Sequence, residues 1–265
     1  MSAIATAPRS RSGTRGLSQL IAVETKLFLR DAGGVFFVLL FPAVLFVGMG
    51  LAIPGMREAI TDLPEPWLGL RAIDIFMPVM LCVAAATAGL TTVPAYLANY
   101  RETGVLRRMS ATPMRPQGVL LAQGLVQLLG VLVGSAVALV VGALVFDAVM
   151  PQRPLLALAT FVLAVASMFA IGVLIGGLAS KGSSASGLGM LLYFPMLFFA
   201  GLWTPGPMMP DVVARIATYT PLGAASQAMN AAWFDTGMPW LQLAVLTGWS
   251  VVVFLVASRT FTWET

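Results

Sequence analysis

The sequence predicts an all-α integral membrane protein with six transmembrane helices, an N-terminal interfacial helix and both termini in the cytoplasm. Three observations lead to this fold class: an apolar composition, six long apolar runs, and an uneven distribution of Lys and Arg between those runs. Of the 265 residues, 58% are hydrophobic and 10% are charged, whereas a soluble domain carries about 25% charged residues. The composition therefore excludes a water-soluble globular protein.

Six runs are long enough to cross a membrane, which takes about 20 mostly apolar residues. They are Val35–Ile53, Ile73–Ala98, Gly118–Phe146, Leu155–Ala179, Ala185–Trp203 and Pro239–Ala257. We therefore expect a transmembrane domain over residues 35–258, preceded by an interfacial helix over residues 17–34. Residues 1–16 and 259–265 are expected to form cytoplasmic tails, and the first of these has a composition typical of disorder.

The basic residues determine the predicted orientation, because cytoplasmic loops carry an excess of Lys and Arg. With the N-terminus inside, the inner segments hold 11 of the 15 Lys and Arg residues, and the outer segments hold 7 of the 11 Asp and Glu residues. The net charge of +4 is then a consequence of topology, with the lipid bilayer as the partner of the basic face. Nucleic acid is not expected as a partner.

Residues that could carry catalysis or bind a cofactor are scarce. The sequence has no His and a single cysteine, Cys82, which excludes imidazole chemistry and multi-cysteine metal sites. Only Asp74 is ionisable within a predicted span, at its very start, and this disfavours a proton relay. Neither Lys26 nor Lys181 follows a Gly, so the chain lacks a P-loop. We expect no cofactor and no enzymatic activity in this chain, and any ATP and Mg would be bound by a partner subunit.

The segment before the first span is predicted to be an amphipathic helix on the inner leaflet. At 100° per residue its apolar side is formed by Leu17, Leu20, Ile21, Leu27 and Phe28. Lys26 and Arg30 lie on the opposite, basic side. Glu24 falls within the apolar stripe, and a buried carboxylate needs a partner. We expect Glu24 to contact an Arg of a cytoplasmic loop, or alternatively to be a frayed surface residue.

Two loops are also amphipathic. The inner loop 99–116 gathers Arg101, Arg107 and Arg108 on one side of a short helix, a pattern that suits docking into a groove on a cytoplasmic partner or binding to lipid headgroups alone. The outer loop 204–236 predicts a short surface helix that begins after Pro210 and ends at Pro221.

Small residues with GxxxG spacing occur in two of the predicted spans. The pairs are Gly130 with Gly134 and Gly172 with Gly176. Such glycines let helix backbones approach closely in lipid. We interpret them as sites of packing within the chain rather than as a dimer seam.

Four segments together resemble a known family. The first is the amphipathic helix before the first span, and the second is Arg-Glu-Thr-Gly-Val-Leu-Arg-Arg-Met at 101–109, followed by Ala-Thr-Pro at 111–113. The third is Phe-Ala-Gly-Leu-Trp-Thr-Pro at 199–205, leading to Met209 and Pro210, and the fourth is Tyr-Thr-Pro-Leu at 219–222. With these motifs the chain resembles the membrane subunit of type-2 ABC transporter permeases, in the branch typified by daunorubicin-resistance permeases.

The resemblance implies that two permease subunits pair, as a homodimer, and that two copies of a separate ABC ATPase dock beneath them. The loop 99–116 would couple ATP binding to movement. The residues implied in coupling are Arg101, Glu102, Gly104, Leu106, Arg107, Arg108, Thr112 and Pro113. The docking helix would present Glu24, Lys26 and Arg30, and the loop 204–236 would close the outer end of the path.

A substrate path is expected between the paired subunits, lined by hydroxyl and aromatic side chains that suit an amphipathic substrate. The candidates are Thr87, Thr91, Thr92, Tyr193, Phe194, Phe198 and Phe199. Each of these could alternatively serve packing or face lipid.

The function that follows from the resemblance is the export of drugs, antibiotics or other amphipathic molecules across a bacterial cell membrane. Arg outnumbers Lys by 13 to 2, which is typical of a GC-rich bacterial genome. A permease for lipid-linked glycan or polysaccharide, a membrane scaffold without transport activity, and a membrane hydrolase are the alternatives.

Overall fold

The computed structural model describes residues 13–62, 66–104, 117–204 and 206–260. Over these residues the chain is mainly helical, and the β-pairing among them is limited to one isolated bridge between Ala59 and Arg71. The predicted tails 1–12 and 261–265, and residues 105–116 of the predicted coupling loop, lie outside the described residues.

Six of the described helices are long and apolar enough to cross a membrane, which confirms the predicted all-α fold with six spans. In chain order the spans are Ala32–Ala52, Ala72–Glu102, Gln117–Phe146, Pro154–Leu178, Gly182–Phe199 and Trp240–Thr260. Most of their ends lie within three residues of the predicted ones. The exceptions are the second span, which continues four residues further to Glu102, and the fifth, which ends four residues earlier at Phe199.

Successive spans run in opposite directions, so the two described chain ends lie at the same end of the bundle. We call this end the terminal face, and it also carries the turn between the fourth and fifth spans. The other end, with the loops 53–71, 147–153 and 200–239, is called the opposite face.

The second span forms the centre of the bundle. Its most apolar stretch is completely buried by the rest of the chain, whereas most of the sixth span is exposed. The fourth span packs against the second and the sixth. The small residues Ala84, Ala85, Ala86 and Ala88 allow neighbouring helices to approach the second span closely.

Two short π-helical segments interrupt the first and second spans. They cover Phe36–Leu40 and Thr87–Thr92, and each comes just before a proline, Pro42 and Pro94. Proline has no N–H to donate to the carbonyl four residues earlier, and a π-turn is one way in which a helix accommodates this loss.

A glycine of a neighbouring helix packs on each of the carbonyls that these prolines leave without their usual donor. A side chain at Gly134 would overlap the Val38 carbonyl oxygen, and one at Gly189 would overlap that of Leu90. Because glycine has no Cβ, its backbone can approach a carbonyl closely enough for a weak Cα–H···O contact. These glycines therefore permit the close fit of the bent first and second spans.

Both GxxxG pairs pack within the chain, as predicted. Gly130 and Gly134 face Val38 of the first span. Gly172 lies on the Gly89 carbonyl, and Gly176 lies on Pro94 and Leu97 of the second span.

The N-terminal helix, Gly13–Arg30, begins four residues earlier than expected. It packs on the third span, where Leu20 approaches Gly118 and Phe28 approaches Gly130. Phe28 is buried as the predicted apolar stripe requires, but Leu27 is 44% exposed. The stripe is therefore narrower than predicted, because it is covered by a single neighbouring helix.

The outer loop contains two helices rather than one. The short helix Asp211–Tyr219 is the predicted one. Pro221, which was expected only to end it, instead begins a second helix, Pro221–Phe234, and nearly all of that helix is buried. Thr220 caps it by accepting a hydrogen bond from the Gly223 amide at 3.2 Å, a usual role for Thr before a Pro at the first helical position.

Candidate functional site

The first, second and fifth spans enclose a cavity of about 470 Å³, here called the inner cavity. Its volume is within the range of pockets that hold drug-sized ligands, about 300–1,000 Å³. Five of the seven residues predicted to line a substrate path lie around it: Thr87, Thr91, Thr92, Tyr193 and Phe194. The π-turn of the second span contributes the three threonines, because it faces the cavity.

The polar groups of this wall are bonded to each other and to the backbone. The Thr87 and Tyr193 hydroxyl groups lie 2.8 Å apart, and Thr87 also donates to the Val83 carbonyl. Thr91 donates to the Thr87 carbonyl. The wall thus offers hydroxyl groups to a ligand. When no ligand is bound, the hydroxyl groups of Thr87, Thr91 and Tyr193 still have hydrogen-bond partners.

The other two predicted path residues lie elsewhere. Phe198 is 41% exposed and is outside the inner cavity. Phe199 lines a pocket at the opposite face. Phe198 and Phe199 follow Tyr193 by five and six residues, which at 100° per residue places them about 140° and 120° around the helix from it, on opposite sides. They therefore do not share the cavity-facing side of the fifth span with Tyr193.

Several lining residues were not predicted, among them residues of the first span and the residue just before it. They are Asp31, Gly34, Phe37, Phe41 and Leu45, together with Tyr96 of the second span and Trp203 after the fifth. The sequence offered a signal in the paired aromatics Phe36 and Phe37 before Pro42. Their side of the helix depends on the π-turn, which shifts the helical register.

Asp31 lies at the terminal-face end of this cavity, just before the first span. Its carboxylate accepts a hydrogen bond of 2.6 Å from the Tyr96 hydroxyl. This bond lowers the pKa of Asp31 from its usual range, and the Gly34 amide acts in the same direction. The carboxylate is therefore ionised at neutral pH.

A second cavity of about 590 Å³ continues the same gap toward the opposite face. It shares Leu45, Leu202 and Trp203 with the inner cavity and extends to Met56 and Met208. The two cavities therefore form one track beside the first span, from Asp31 at one end to Met208 at the other, and three bulky side chains lie at their junction.

A third pocket, of about 640 Å³, lies at the opposite face beneath the short helix and is more polar. The Gln227 side chain accepts hydrogen bonds from Thr218 at 2.9 Å and from Gln242 at 3.1 Å, and it donates to the Ala214 carbonyl. Asn230 is buried in the same wall, and its side-chain oxygen has no hydrogen-bond partner among the described residues.

At the terminal face, Glu24 of the N-terminal helix is buried and accepts a hydrogen bond of 2.6 Å from the Tyr100 hydroxyl. Among the described residues its partner is thus a tyrosine of the second span, whereas Arg107, Arg108 and Arg115 of the inner loop lie outside them, so the expected contact with an Arg stays a prediction. The alternative of a frayed surface residue is wrong, because Glu24 is buried. Burial raises the pKa of Glu24, and the hydrogen bond from Tyr100 lowers it by less. The docking-helix residues Lys26 and Arg30 are exposed.

Two of the predicted coupling residues bind the turn between the fourth and fifth spans. Arg101 donates to the carbonyl of Gly177, and Glu102 accepts a hydrogen bond of 3.0 Å from the Gly182 amide. Gly104, with φ of 67°, ends the second span in a conformation that favours glycine. The other predicted coupling residues, Leu106, Arg107, Arg108, Thr112 and Pro113, lie outside the described residues.

At the opposite face, the second span begins in an ion pair between the buried Asp74 and the partly exposed Arg71. Asp74 is 2% exposed and accepts two hydrogen bonds of 2.8 Å from the Arg71 guanidinium, a third from the Arg71 amide and a fourth from the Val149 amide. Arg71 also donates to the Asp147 carbonyl at 3.1 Å. The loop 147–153 is thereby tied to the start of the second span.

The same loop holds the buried helix. The Trp233 indole donates to the Val149 carbonyl at 2.7 Å, and Arg153 forms an ion pair with Asp235. The second span, the loop and the buried helix therefore form one connected unit at the opposite face.

These features define the class of protein: a multi-pass helical membrane protein with cavities alongside its central span. The sequence model of the ABC-2 family transporter protein matches residues 69–259, and the chain belongs to this family of transporter membrane domains. The match begins just before the second span and ends in the last turn of the sixth. A search among curated proteins finds no relative that matches this chain.

Proposed function

We propose that the chain is the permease subunit of an ATP-driven exporter of drugs, antibiotics or other amphipathic molecules, and that a separate ATPase subunit binds ATP and Mg. The observation that carries this proposal is the inner cavity, because hydroxyl and aromatic groups there surround a drug-sized space beside the central span. The second cavity continues the same gap toward the opposite face, past Leu45, Leu202 and Trp203. A substrate could therefore move from the inner cavity in that direction.

The terminal face is proposed to be cytoplasmic, in a bacterial cell membrane. The excess of Lys and Arg in the segments of that face supports this orientation. The ATPase would then meet the N-terminal helix and the loop 99–116, whose described residues 99–104 belong to that face.

In this proposal Arg101 and Glu102 act as transmitting residues within the chain. Both hold the turn between the fourth and fifth spans, and the fifth span carries Tyr193 and Phe194 of the inner cavity. A push on the loop that follows Glu102 would therefore move a wall of the cavity. Residues 105–116 would receive that push from the ATPase.

We further propose that two copies of the chain pair. The fifth span exposes a row of large apolar side chains, Leu188, Leu191, Phe194 and Phe198, and it also borders the inner cavity. Pairing along this face would enclose the two cavities between the subunits.

Export of a lipid-linked glycan is the second candidate, and the polar pocket at the opposite face favours it. Gln227, Asn230 and Gln242 there offer amide groups that suit hydroxyl-rich ligands. A drug-susceptibility change on deletion of the gene would favour the first candidate, and a cell-envelope defect would favour the second.

The first test is to purify the tagged chain from its native membranes in mild detergent and to identify the proteins that accompany it by mass spectrometry. A stoichiometric ATPase with a P-loop is expected. The Glu102→Arg variant should weaken this association, because it brings an arginine beside the turn that Arg101 already contacts. Glu58→Arg, at an exposed site on the opposite face, is the matched control.

The outcome that would contradict the proposal is a chain that purifies alone under several gentle conditions. A membrane scaffold would then be the better reading, and hydrolytic activity of the isolated chain would point to an enzyme. Reconstitution with the ATPase in liposomes supplies the direct measurement, which is ATP-dependent movement of a fluorescent amphipath.

A further inference from the structure

The inner cavity has an uneven distribution of charge. Among the described residues that line it, Asp31 alone is charged. It lies at the terminal-face end, one residue before the first span, and it is exposed. The described remainder of the wall is apolar, aromatic, glycine or hydroxyl-bearing.

The surroundings of Asp31 keep it charged and in place. The Tyr96 hydroxyl donates to its carboxylate at 2.6 Å, which favours the ionised form. The side chain also lies against Gly34, where any Cβ would come within 2.5 Å of a carboxylate oxygen. The negative charge is thus fixed at the mouth of the cavity.

The deeper wall is aromatic on three sides. Six aromatic side chains from the first, second and fifth spans and the segment after the fifth contribute: Phe37, Phe41, Tyr96, Tyr193, Phe194 and Trp203. Aromatic faces attract cations and also bury apolar surface. An anionic ligand would meet the Asp31 carboxylate with no described basic side chain in the lining to offset the repulsion.

We propose that the inner cavity selects amphipathic cations: the Asp31 carboxylate is the counter-charge for the cationic head, and the aromatic wall holds the apolar body. This proposal rests on the export function proposed above and names the charge class of its substrate. The arrangement matches the way an amphipathic cation lies in a leaflet, with its charge at headgroup level and its apolar part among the acyl chains.

The test uses the permease with its ATPase in lipid nanodiscs and two fluorescent naphthalene dyes. One dye carries a trimethylammonium group, and in the other a tert-butyl group of the same shape replaces it. Binding is corrected for partition into empty nanodiscs. The wild type should bind the cationic dye several-fold more tightly than the neutral one.

Asp31→Asn should weaken binding of the cationic dye about fivefold, the loss expected for one partly exposed charge pair, and leave the neutral dye unchanged. Asp31→Glu keeps the charge and should retain most of the preference. Asp62→Asn removes an exposed carboxylate of the opposite face and is the matched control for the change in net charge. The neutral dye also reports whether each variant keeps an intact cavity.

The two proposals can fail separately. Equal binding of the two dyes by the wild type, or an equal loss of both in Asp31→Asn, overturns the cation selection even where ATP drives both dyes across liposome membranes. Charge-dependent binding without ATP-driven movement of either dye overturns the export function and supports the cation site.

Discussion

The two ends of the second span are held by different kinds of contact. At the opposite face, the buried Asp74 carboxylate accepts four hydrogen bonds from two backbone amides and a guanidinium. At the terminal face, the hydrogen bonds of Asp31 with Tyr96 and of Glu102 with Gly182 are exposed to solvent, Arg101 donates to Gly177 in a partly buried contact, and the buried contact is a single hydrogen bond from the neutral Tyr100 hydroxyl to Glu24. Buried ionic contacts are costly to break, whereas exposed ones exchange readily with water.

The difference indicates which end of the central span can move. The opposite-face end is fixed to the loop 147–153 and through it to the buried helix. The terminal-face end is held in part by exposed hydrogen bonds that can exchange with water, and it is the end that leads into the proposed coupling loop. The second span is thus held more firmly at its opposite-face end than at its terminal-face end.

The largest effect is expected from breaking the fixed end. Asp74→Ala removes a buried carboxylate that accepts four hydrogen bonds from Arg71 and the Val149 amide, and the loss of hydrogen bonds to a buried charged group costs about 3 kcal/mol. The free energy of unfolding in a detergent titration should fall by that amount. Asp62→Ala, at an exposed site, should change it little, and an equal fall in both variants would contradict a rigid anchor at Asp74.

The next largest effect is expected at the middle of the second span. Gly172→Ala places a methyl group on the Gly89 carbonyl of the second span, and overpacking of this kind costs about 1–3 kcal/mol. Thermal stability in detergent should fall accordingly. Gly124→Ala is the control, because a Cβ there meets no atom within 4 Å and alanine favours a helix. A Gly172→Ala protein as stable as the wild type would mean that the fourth span can move aside.

At the mobile end, a change in coupling is expected with little change in stability. Glu102→Ala removes an exposed acceptor of the Gly182 amide, and such contacts contribute about 1 kcal/mol or less. ATP hydrolysis by the assembled complex should continue while transport falls several-fold. Unchanged transport per ATP would show that the turn between the fourth and fifth spans moves without Glu102, and Glu58→Ala provides the comparison.

The smallest effect belongs to Glu24. Since burial raises the pKa of Glu24 above its usual 4.5, the folded chain binds this proton more tightly than the unfolded chain. The stabilisation that comes from this bound proton is complete below the usual pKa of Glu24, and it is lost as the pH rises through the pKa that Glu24 has in the folded chain. Glu24→Gln keeps an acceptor for Tyr100 and titrates no proton.

The wild type should therefore lose stability relative to Glu24→Gln as the pH is raised from 4 toward neutrality, by about 1 kcal/mol or less. Thermal unfolding measured in parallel at several pH values checks this. A constant difference across that interval would mean that the buried carboxyl group does not titrate.

The spans could be predicted from the sequence because lipid imposes a length and a composition on every crossing segment. The second span is an example. Its apolar run predicts the span, but its last turn is polar, and the sequence therefore predicts a loop for Tyr100, Arg101 and Glu102. Hydropathy does not report a helix end that is held by hydrogen bonds to a neighbouring turn.

Residues of the inner cavity could be predicted only where the type of side chain alone indicates a role in binding. The hydroxyl groups of Thr87 and Tyr193 suggested a path, and the structure brings them together. Phe41, Tyr96 and Asp31 were missed because their positions depend on π-turns and on contacts between distant segments. The buried helix was missed because its 14 residues are rich in Ala, with the polar side chains of Ser226, Gln227 and Asn230 among them, and such a segment has neither the length of a span nor the polar face of a surface helix.

That buried helix also bears on biosynthesis. Its 14 residues rise about 21 Å, too short to cross about 30 Å of hydrocarbon, so the insertion machinery would release this segment with the loop around it rather than integrate it as a span. It can dock only after the second and fourth spans have assembled the site that buries it. The Trp233–Val149 hydrogen bond therefore forms after those spans are in place.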